Sequence, residues 1–416
     1  MKKIFLCAAL IAASSVSFAQ EAKVKEAQKL AEGKNYAGAV QAIAAAISNP
    51  ETANSAETYA VAGNIYEQMA GAESAKKMLK QPYDNKAFAD GLLGMYANYL
   101  KCYVLDHQPN AKGKVKPKYS KEYPDKLWGQ RGDLINEGVE VYNKKDYATA
   151  LKLFSTYIDT FTKSEVFAND ERAKGDTLVT YTAALATMAA YYAKDYNSVV
   201  TYAALGQKDK NKELSQNALI LKLDALKQLG KTDEYFAAAK EALQAKPDNQ
   251  GFKAEVFNGY LNNKKDTLGA VSFVDELLAK NPQDSYALFL KGYALMLQKK
   301  YDEAISAFDA SKAIDSKNKD VYRYLAMTHI NKAQDYGMNT PQKEYSRSKY
   351  LNLLKGGMEA LEAWSKLDPK DGRAWGPTLY NIYYQYNNDK VPGFAEKMEA
   401  LKAELAGQGV TVGTAN

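Results

Sequence analysis

The sequence offers few side chains of the kinds that bind metals or act as nucleophiles. It contains two histidines, His107 and His329, and two cysteines, Cys7 and Cys102. His329 falls where helical spacing predicts a large core residue, and Cys102 lies in the apolar run GLLGMYANYLKCYVL, which is typical of a buried structural thiol. We therefore expect no catalytic residue, no metal site and no cofactor.

The glycine run GQGVTVG near the C-terminus does not fit a dinucleotide-binding loop. Such a loop joins a strand to a helix, and the sequence predicts neither beside this run. The run lacks helical periodicity, so we expect a flexible tail over residues 406–416. Without an acid-base constellation elsewhere, the sequence predicts a protein that is not an enzyme.

Charge is nearly balanced along the chain, with 55 basic and 49 acidic residues and a formal net charge of +6. Nucleic-acid-binding proteins usually cluster Lys and Arg on one face, whereas here lysines alternate with acids, so no nucleic-acid partner is expected. A lysine-rich stretch near residues 107–127 fits either a solvated loop or a contact with an anionic partner or membrane surface. The abundance of lysine at protein surfaces favours the solvated loop.

Residues 1–19 have the pattern of a secretory signal peptide. Lys2 and Lys3 precede a short apolar run, and Ser17-Phe18-Ala19 ends in the small-x-small pattern that signal peptidase cleaves. The apolar run is about half of the ~20 residues that span a bilayer, so no transmembrane anchor is expected. The sequence predicts an exported protein, either periplasmic or outer-membrane associated or secreted.

The elements that would position any binding residue are most regular between Asp284 and Asn318. Apolar or small residues recur there at helical spacing in two runs, separated near Gln298 to Lys300. Small side chains at Gly292 and Ala304 would let the two helices cross closely. The stretch therefore predicts a helical hairpin.

The order of large and small residues in this hairpin, at a period of about 34 residues, resembles the tetratricopeptide-repeat (TPR) family, and the protein is similar to exported members from Bacteroidetes. The resemblance implies an all-α fold, an α-α superhelix (solenoid) of about nine hairpins over residues 20–405. Inserted loops are expected near residues 70–85, 107–127 and 334–344. The expected repeat-core residues are Gly138, Tyr147, Ala150, Phe154, Gly292, Tyr301, Ala304 and Phe308.

In the TPR family, the first helix of each hairpin lines a concave groove that binds extended peptides or partner segments. Aromatic and arginine side chains at these positions are suited to anchoring an interface, although the tyrosines could equally pack against neighbouring helices or loops. The same register implies these partner-binding residues: Tyr181, Tyr191, Tyr286, Phe289, Tyr293, Met296, Arg323, Asn331, Arg373, Tyr380 and Tyr383.

The resemblance thus implies a non-enzymatic protein-protein interaction scaffold of the cell envelope, with a protein or peptide partner on its concave face. The alternative is a SusD-like carbohydrate-binding protein that stacks a glycan on aromatic platforms. Two tripeptides, Asp176-Thr177-Leu178 and Asp266-Thr267-Leu268, resemble the acceptor motif for O-glycosylation in Bacteroidetes. Asp or Thr at these places also fits a helix cap.

Overall fold

The computed structural model describes residues 22–50 and 52–413, and all regular structure over these residues is helical. The signal peptide expected over residues 1–19 lies outside the described residues. The chain divides into two compact units, residues 1–231 (unit 1) and residues 232–416 (unit 2).

Unit 1 contains ten helices among its described residues, with one 3-10 turn at Glu165–Phe167. They are α1 (22–32), α2 (Tyr36–Ile47), α3 (Ala56–Met78), α4 (Asn85–Asp106), α5 (Tyr123–Asn143), α6 (Tyr147–Lys163), α7 (Glu171–Lys174), α8 (Leu178–Tyr192), α9 (Tyr196–Gly206) and α10 (Lys212–Gln228).

Unit 2 contains nine helices in its described part, with a π-helical segment at Gly259–Asn263. They are α11 (Thr232–Ala245), α12 (Gln250–Asn258), α13 (Thr267–Lys280), α14 (Ser285–Leu297), α15 (Tyr301–Ile314), α16 (Lys319–Asn339), α17 (Arg347–Leu367), α18 (Gly372–Asn388) and α19 (Phe394–Gly407).

Each helix packs mainly against its neighbours in sequence. In unit 1, α3 contacts α4, α4 contacts α5, α5 contacts α6, and α8 contacts both α6 and α9. In unit 2 the same succession runs from α13 to α19. Contacts confined to neighbouring hairpins are the property that defines a repeat array. The all-α solenoid of about nine TPR-like hairpins is therefore confirmed.

Several paired helices come close together where a glycine faces an aromatic ring. In the α14–α15 hairpin, a Cβ atom on Gly292 would lie 2.7 Å from the Phe308 ring, and in the α5–α6 hairpin a Cβ on Gly138 would overlap the Phe154 ring. Ala150 and Ala304 are fully buried beside these rings. The remaining two expected core residues, Tyr147 and Tyr301, are only half-buried.

The turn between α5 and α6 shows how a hairpin is closed. Lys145 has a left-handed backbone (φ 66°), and its N–H donates to the carbonyl of Tyr142 at 2.8 Å. The N–H of Asp146 donates to the carbonyl of Val141 at 2.9 Å, and the Asp146 carboxylate accepts from the N–H of Thr149 at 3.1 Å. One aspartate therefore ends α5 and begins α6. A left-handed lysine follows the first helix of other hairpins at Lys34, Lys80, Lys194, Lys265, Lys299 and Lys390.

The first expected insertion, near residues 70–85, is mostly helix. Helix α3 continues to Met78, so only residues 79–84 are non-helical. The helix continues because its buried face still meets α4: a Cβ on Gly91 would lie 2.7 Å from the Ala70 nitrogen. The other two insertions are non-helical over residues 107–122 and 340–346, somewhat shorter than expected.

The loop of residues 107–122 is held at its base by one carboxylate. Asp106 accepts from the N–H groups of Lys118 at 3.0 Å, Tyr119 at 2.8 Å and Ser120 at 2.9 Å, and from the Ser120 hydroxyl at 2.7 Å. Burial works to raise the pKa of Asp106, but these hydrogen bonds outweigh it and lower the pKa below its ordinary value. The loop is therefore anchored to the end of α4.

The C-terminal segment packs on α18 as far as residue 413, in contrast to the flexible tail expected from its glycines. Val410 and Val412 are buried. The Gln408 side chain accepts from the N–H of Gly372 at 3.0 Å and donates to the carbonyl of Pro369 at 2.8 Å. Two apolar side chains and a satisfied amide thus hold a stretch whose composition alone indicates disorder.

Replacing two glycines of α5 by alanine should change stability in opposite directions. Gly138→Ala forces a methyl group into the Phe154 ring and should lower the free energy of unfolding by about 1–3 kcal/mol. Gly129→Ala, on the same helix with no described atom within 4 Å of the new methyl, should raise it by about 0.5–1 kcal/mol. Chemical denaturation followed by circular dichroism measures both. Equal effects of the two changes would contradict the close-packed crossing.

Acidification should release the loop of residues 107–122 before the helices unfold. Because the folded-state pKa of Asp106 lies below that of an unfolded aspartate, ~3.9, its contribution is complete above that pH and is lost as the pH falls through the folded-state value. Asp106→Ala should remove it at neutral pH. Hydrogen exchange should then show protection of the Lys118, Tyr119 and Ser120 amides falling about tenfold or more, with α4 amides as the internal control. Unchanged protection would show that the carboxylate does not hold the loop.

Candidate partner-binding surface

The expected partner-binding residues are divided between the two units. Tyr181 and Tyr191 lie on α8 of unit 1. The others lie on α14, α16 and α18 of unit 2. Each unit therefore carries its own candidate surface.

Four of the residues expected in the groove are buried, which corrects their assignment. They are Phe289, Met296, Tyr380 and Tyr383, and the most exposed of them, Phe289, is 8% exposed. Helix α14 contacts α12, α13, α15 and α16. These helices cover most sides of α14, so most of its apolar residues are buried. On α18, Tyr383 donates its hydroxyl to Glu362 at 2.7 Å, and Tyr380 lies under Gly413 of the C-terminal segment.

Half-exposed aromatic rings remain on α14 and α16 of unit 2. Tyr324 of α16 packs against Tyr293 with ring centroids 4.9 Å apart, and against the buried Phe289 at 5.5 Å. Phe289 in turn lies 5.8 Å from Tyr286. We call the three partly exposed rings, Tyr286, Tyr293 and Tyr324, the aromatic ladder. Phe289 is the buried support that fixes their positions.

Exposed side chains surround the aromatic ladder. The guanidinium carbon of Arg323 lies 5.6 Å from the centre of the Tyr324 ring, a cation-π contact. Leu297 is 47% exposed and lies one helical turn beyond Tyr293, while Met327 is 37% exposed and lies one turn beyond Arg323. The surface therefore combines aromatic, aliphatic and cationic groups within two adjacent helices.

The Tyr286 and Tyr293 hydroxyl groups of the aromatic ladder are protonated at neutral pH. Burial raises the pKa of Tyr286 above its ordinary value, and the carboxylates of Asp320 and Glu255 raise it further. Burial and the neighbouring Tyr324 raise the pKa of Tyr293. Neither hydroxyl has a hydrogen-bond partner among the described residues. Both can therefore donate to a carbonyl or carboxylate of a bound molecule.

The structure does not bring all the expected residues to this surface. Asn331 is half-buried on α16, eight residues and roughly 12 Å along the helix from Arg323. Arg373 is exposed at the start of α18, a helix that packs on α17 and α19. Conversely, Tyr324 was not expected, because it lies between the positions that the repeat register assigns to the groove. Its only signal in the sequence is its place beside Arg323.

In unit 1 the two expected residues belong to structural clusters. Tyr181 is half-buried against the main core of the unit. Tyr191 donates its hydroxyl to Asp224 at 2.8 Å and packs on Tyr196 with ring centroids 6.1 Å apart. Its neighbour Tyr192 is more exposed and stacks on another ring. Neither expected tyrosine forms a surface comparable to the aromatic ladder.

Helices α3, α4 and α5 of unit 1 share a buried polar network. The Glu137 side chain is fully buried, and its carboxylate accepts from Lys77 at 2.9 Å, from the Tyr83 hydroxyl at 3.0 Å and from the Asn85 amide at 2.6 Å. Three donors compensate the cost of burying the carboxylate. This network joins α3, α4 and α5 and has a structural role.

The residues most often used in catalysis occupy structural positions. Burial raises the pKa of the Cys102 thiol to about 11, and its sulfur donates to the carbonyl of Ala56 at 3.2 Å. The His107 ring stacks on Tyr103 with centroids 3.8 Å apart. Burial lowers the pKa of His329, which lies against Gly356 on the next helix. The thiol is therefore not ionised at neutral pH.

The two tripeptides that resemble glycosylation acceptors lie at the starts of helices. Asp176 accepts from the N–H of Leu178 at 3.0 Å, and Asp266 accepts from the N–H of Gly269 at 2.7 Å, so both aspartates act at the start of a helix.

Among the described residues, no helix has the length and hydrophobicity needed to cross a bilayer.

No family model and no curated protein matches the sequence. Solved structures with similar folds include the C-terminal part of a TPR repeat-containing protein from Cytophaga hutchinsonii, at 14% identity and a TM-score of 0.41, covering 68% of this chain and 94% of that one. A TPR repeats protein from Bacteroides fragilis is 20% identical with a TM-score of 0.33, covering 62% and 97% of the two chains. Yeast Tom70 is 14% identical with a TM-score of 0.30, covering 94% and 96%. These similarities concern the helical-hairpin fold and carry no information about partners.

Proposed function

We propose that the protein is a non-enzymatic interaction scaffold of the cell envelope that holds a partner protein or peptide on the aromatic ladder of unit 2. The observation that carries this proposal is the half-exposed set of Tyr286, Tyr293 and Tyr324, with two unpaired hydroxyls. Aromatic residues give a large contact area for little loss of conformational entropy.

The chemistry of the surface favours a segment of polypeptide. Leu297 and Met327 offer aliphatic contacts beside the rings, so an apolar side chain of the partner would be desolvated there. The Tyr286 and Tyr293 hydroxyls and the Arg323 guanidinium supply donors for backbone carbonyls. A segment with spaced apolar side chains and free carbonyl groups matches both sets of groups.

A carbohydrate ligand is the second candidate, because half-exposed aromatic rings also bind sugars. Sugar stacking requires an open ring face. In the aromatic ladder, Tyr293 meets Tyr324 at an interplanar angle of 63°, and Tyr324 meets Phe289 at 65°. These edge-to-face contacts use part of the ring faces, which favours the polypeptide. A glycan array with the purified protein distinguishes the two candidates.

The location in the cell envelope rests on the signal-peptide pattern of residues 1–19. If the pattern is used, the mature chain isolated from its host should begin at Gln20. N-terminal sequencing of protein from separated periplasmic, outer-membrane and medium fractions measures this directly. An uncleaved chain confined to the cytoplasm would contradict the proposed location.

Truncating the aromatic ladder should weaken partner binding without unfolding the protein. The double variant Tyr286→Ala and Tyr293→Ala removes two anchors, and a loss of at least ~2 kcal/mol corresponds to about 30-fold weaker binding. Tyr384→Ala is the matched control, since Tyr384 is an exposed tyrosine of the same unit on α18. Its effect on binding should be small.

The partner can be identified and the affinity measured in one series. A photo-crosslinking residue at Leu297 should capture the partner in envelope extract of the host, whereas one at the exposed Leu367 on α17 should not. Titration of the captured segment against wild type, the double variant and the Tyr384 control then gives the affinities. Equal affinity of wild type and the double variant, both folded by circular dichroism, would exclude the aromatic ladder as the binding site.

A further inference from the structure

The loop of residues 107–122, here called the lysine loop, concentrates positive charge on unit 1. Residues 107–122 contain five lysines and one acidic residue, Glu122, at the end of the loop. All five side chains are exposed, and none forms an ion pair with a described residue. Many other lysines of the described chain are paired with carboxylates. The lysines of this loop are Lys112, Lys114, Lys116, Lys118 and Lys121.

The lysine loop has a defined conformation at its tip. The Asn110 side chain accepts from the N–H of Lys112 at 2.9 Å and from that of Lys114 at 3.2 Å. The N–H of Asn110 donates to the carbonyl of Lys114 at 3.0 Å, and Gly113 has the left-handed backbone that such a turn requires (φ 70°). The loop is therefore held by Asp106 at its base and by Asn110 at its tip.

The anchoring carboxylate cannot neutralise the lysines. The Asp106 carboxylate accepts four hydrogen bonds. Three come from the backbone N–H groups of residues 118–120, and the fourth comes from the Ser120 hydroxyl. The Lys118 ammonium lies over the Tyr119 ring, 4.7 Å from its centre. The Asp106 carboxylate therefore holds the loop backbone, and the five exposed ammonium groups form no ion pair with a described residue.

An exposed apolar residue lies among the lysines. Val115 is 50% exposed, between Lys114 and Lys116, and Pro117 follows. A loop of defined shape that combines several exposed ammonium groups with an exposed aliphatic side chain is suited to an anionic surface that also has an apolar layer.

We propose that the lysine loop docks unit 1 on an anionic lipid bilayer, with its ammonium groups on lipid phosphates and Val115 at the level of the headgroups. Clusters of four to eight lysines are attracted to anionic bilayers, and an apolar side chain adds contact with the interface. The inference is independent of the partner proposed for the aromatic ladder.

Vesicle sedimentation tests the proposal with the full chain. Wild-type protein should sediment with phosphatidylcholine vesicles containing phosphatidylglycerol, should not sediment with pure phosphatidylcholine vesicles, and should be released by high salt. The triple variant Lys112→Gln, Lys114→Gln and Lys116→Gln should lower the partition coefficient on the order of 100-fold. All three side chains are exposed, so its thermal unfolding should match wild type.

The matched control removes three other exposed lysines of unit 1. Lys80, Lys145 and Lys194 lie in turns between paired helices, and Lys80 is separated from the lysine loop by the 22 residues of α4, roughly 33 Å. Changing these three to glutamine alters the net charge equally and should leave most of the vesicle binding intact. If this control loses as much binding as the loop variant, net charge explains the binding and the proposal is wrong.

A probe at the loop tests the contact itself. In Val115→Trp, the added tryptophan emission, obtained by difference from wild type, should shift to the blue when phosphatidylglycerol vesicles are added and should not shift with phosphatidylcholine alone. Absence of binding by wild type to the anionic vesicles, or binding without a shift at position 115, would overturn the proposal.

Discussion

The close approach of paired helices at glycine residues, which have no Cβ atom, is the constraint on which the remaining structure depends. Helices in these hairpins pack with an aromatic ring of one placed over the backbone of the other, so any Cβ atom at the contact would collide with the ring. Within hairpins the arrangement recurs at Gly63 with Tyr99, Gly94 with Tyr66, Gly138 with Phe154, and Gly292 with Phe308, and between successive hairpins at Gly259 with Phe236. The rings are thereby fixed, and the outer faces of the first helices can vary. That freedom allows a polar network around Glu137 in unit 1 and the aromatic ladder in unit 2.

The hairpins could be predicted from sequence because their information is local. Gly292, Ala304 and Phe308 are close in sequence, and their spacing alone indicates which sides of two helices meet. Exposure of the first-helix residues depends on other hairpins, and periodicity does not report it. Phe289 and Tyr293 occupy neighbouring turns of α14, yet Phe289 is buried and Tyr293 is partly exposed, although Tyr293 contacts Phe257 of α12 and Tyr324 of α16.

Other differences from expectation have equally specific causes. The proline after Gln81 indicates an interruption but not its length, which is set by how far α3 remains in contact with α4. Likewise, the lysine-rich composition of residues 107–122 is that of a solvated loop, whereas the fixed shape comes from the hydrogen bonds accepted by Asp106. In both places a tertiary contact decides a conformation that composition leaves open.

The C-terminal segment covers the last hairpin that the structure describes. Each hairpin of a repeat array buries its apolar surface against its neighbours, so a hairpin without a following neighbour leaves such a surface open. Here Gly413 lies against Tyr380 of α18, Val410 and Val412 are buried, and Gln408 accepts from the N–H of Gly372. A few residues without regular structure thus occupy part of the surface of α18 that a further helix or a second chain would otherwise contact.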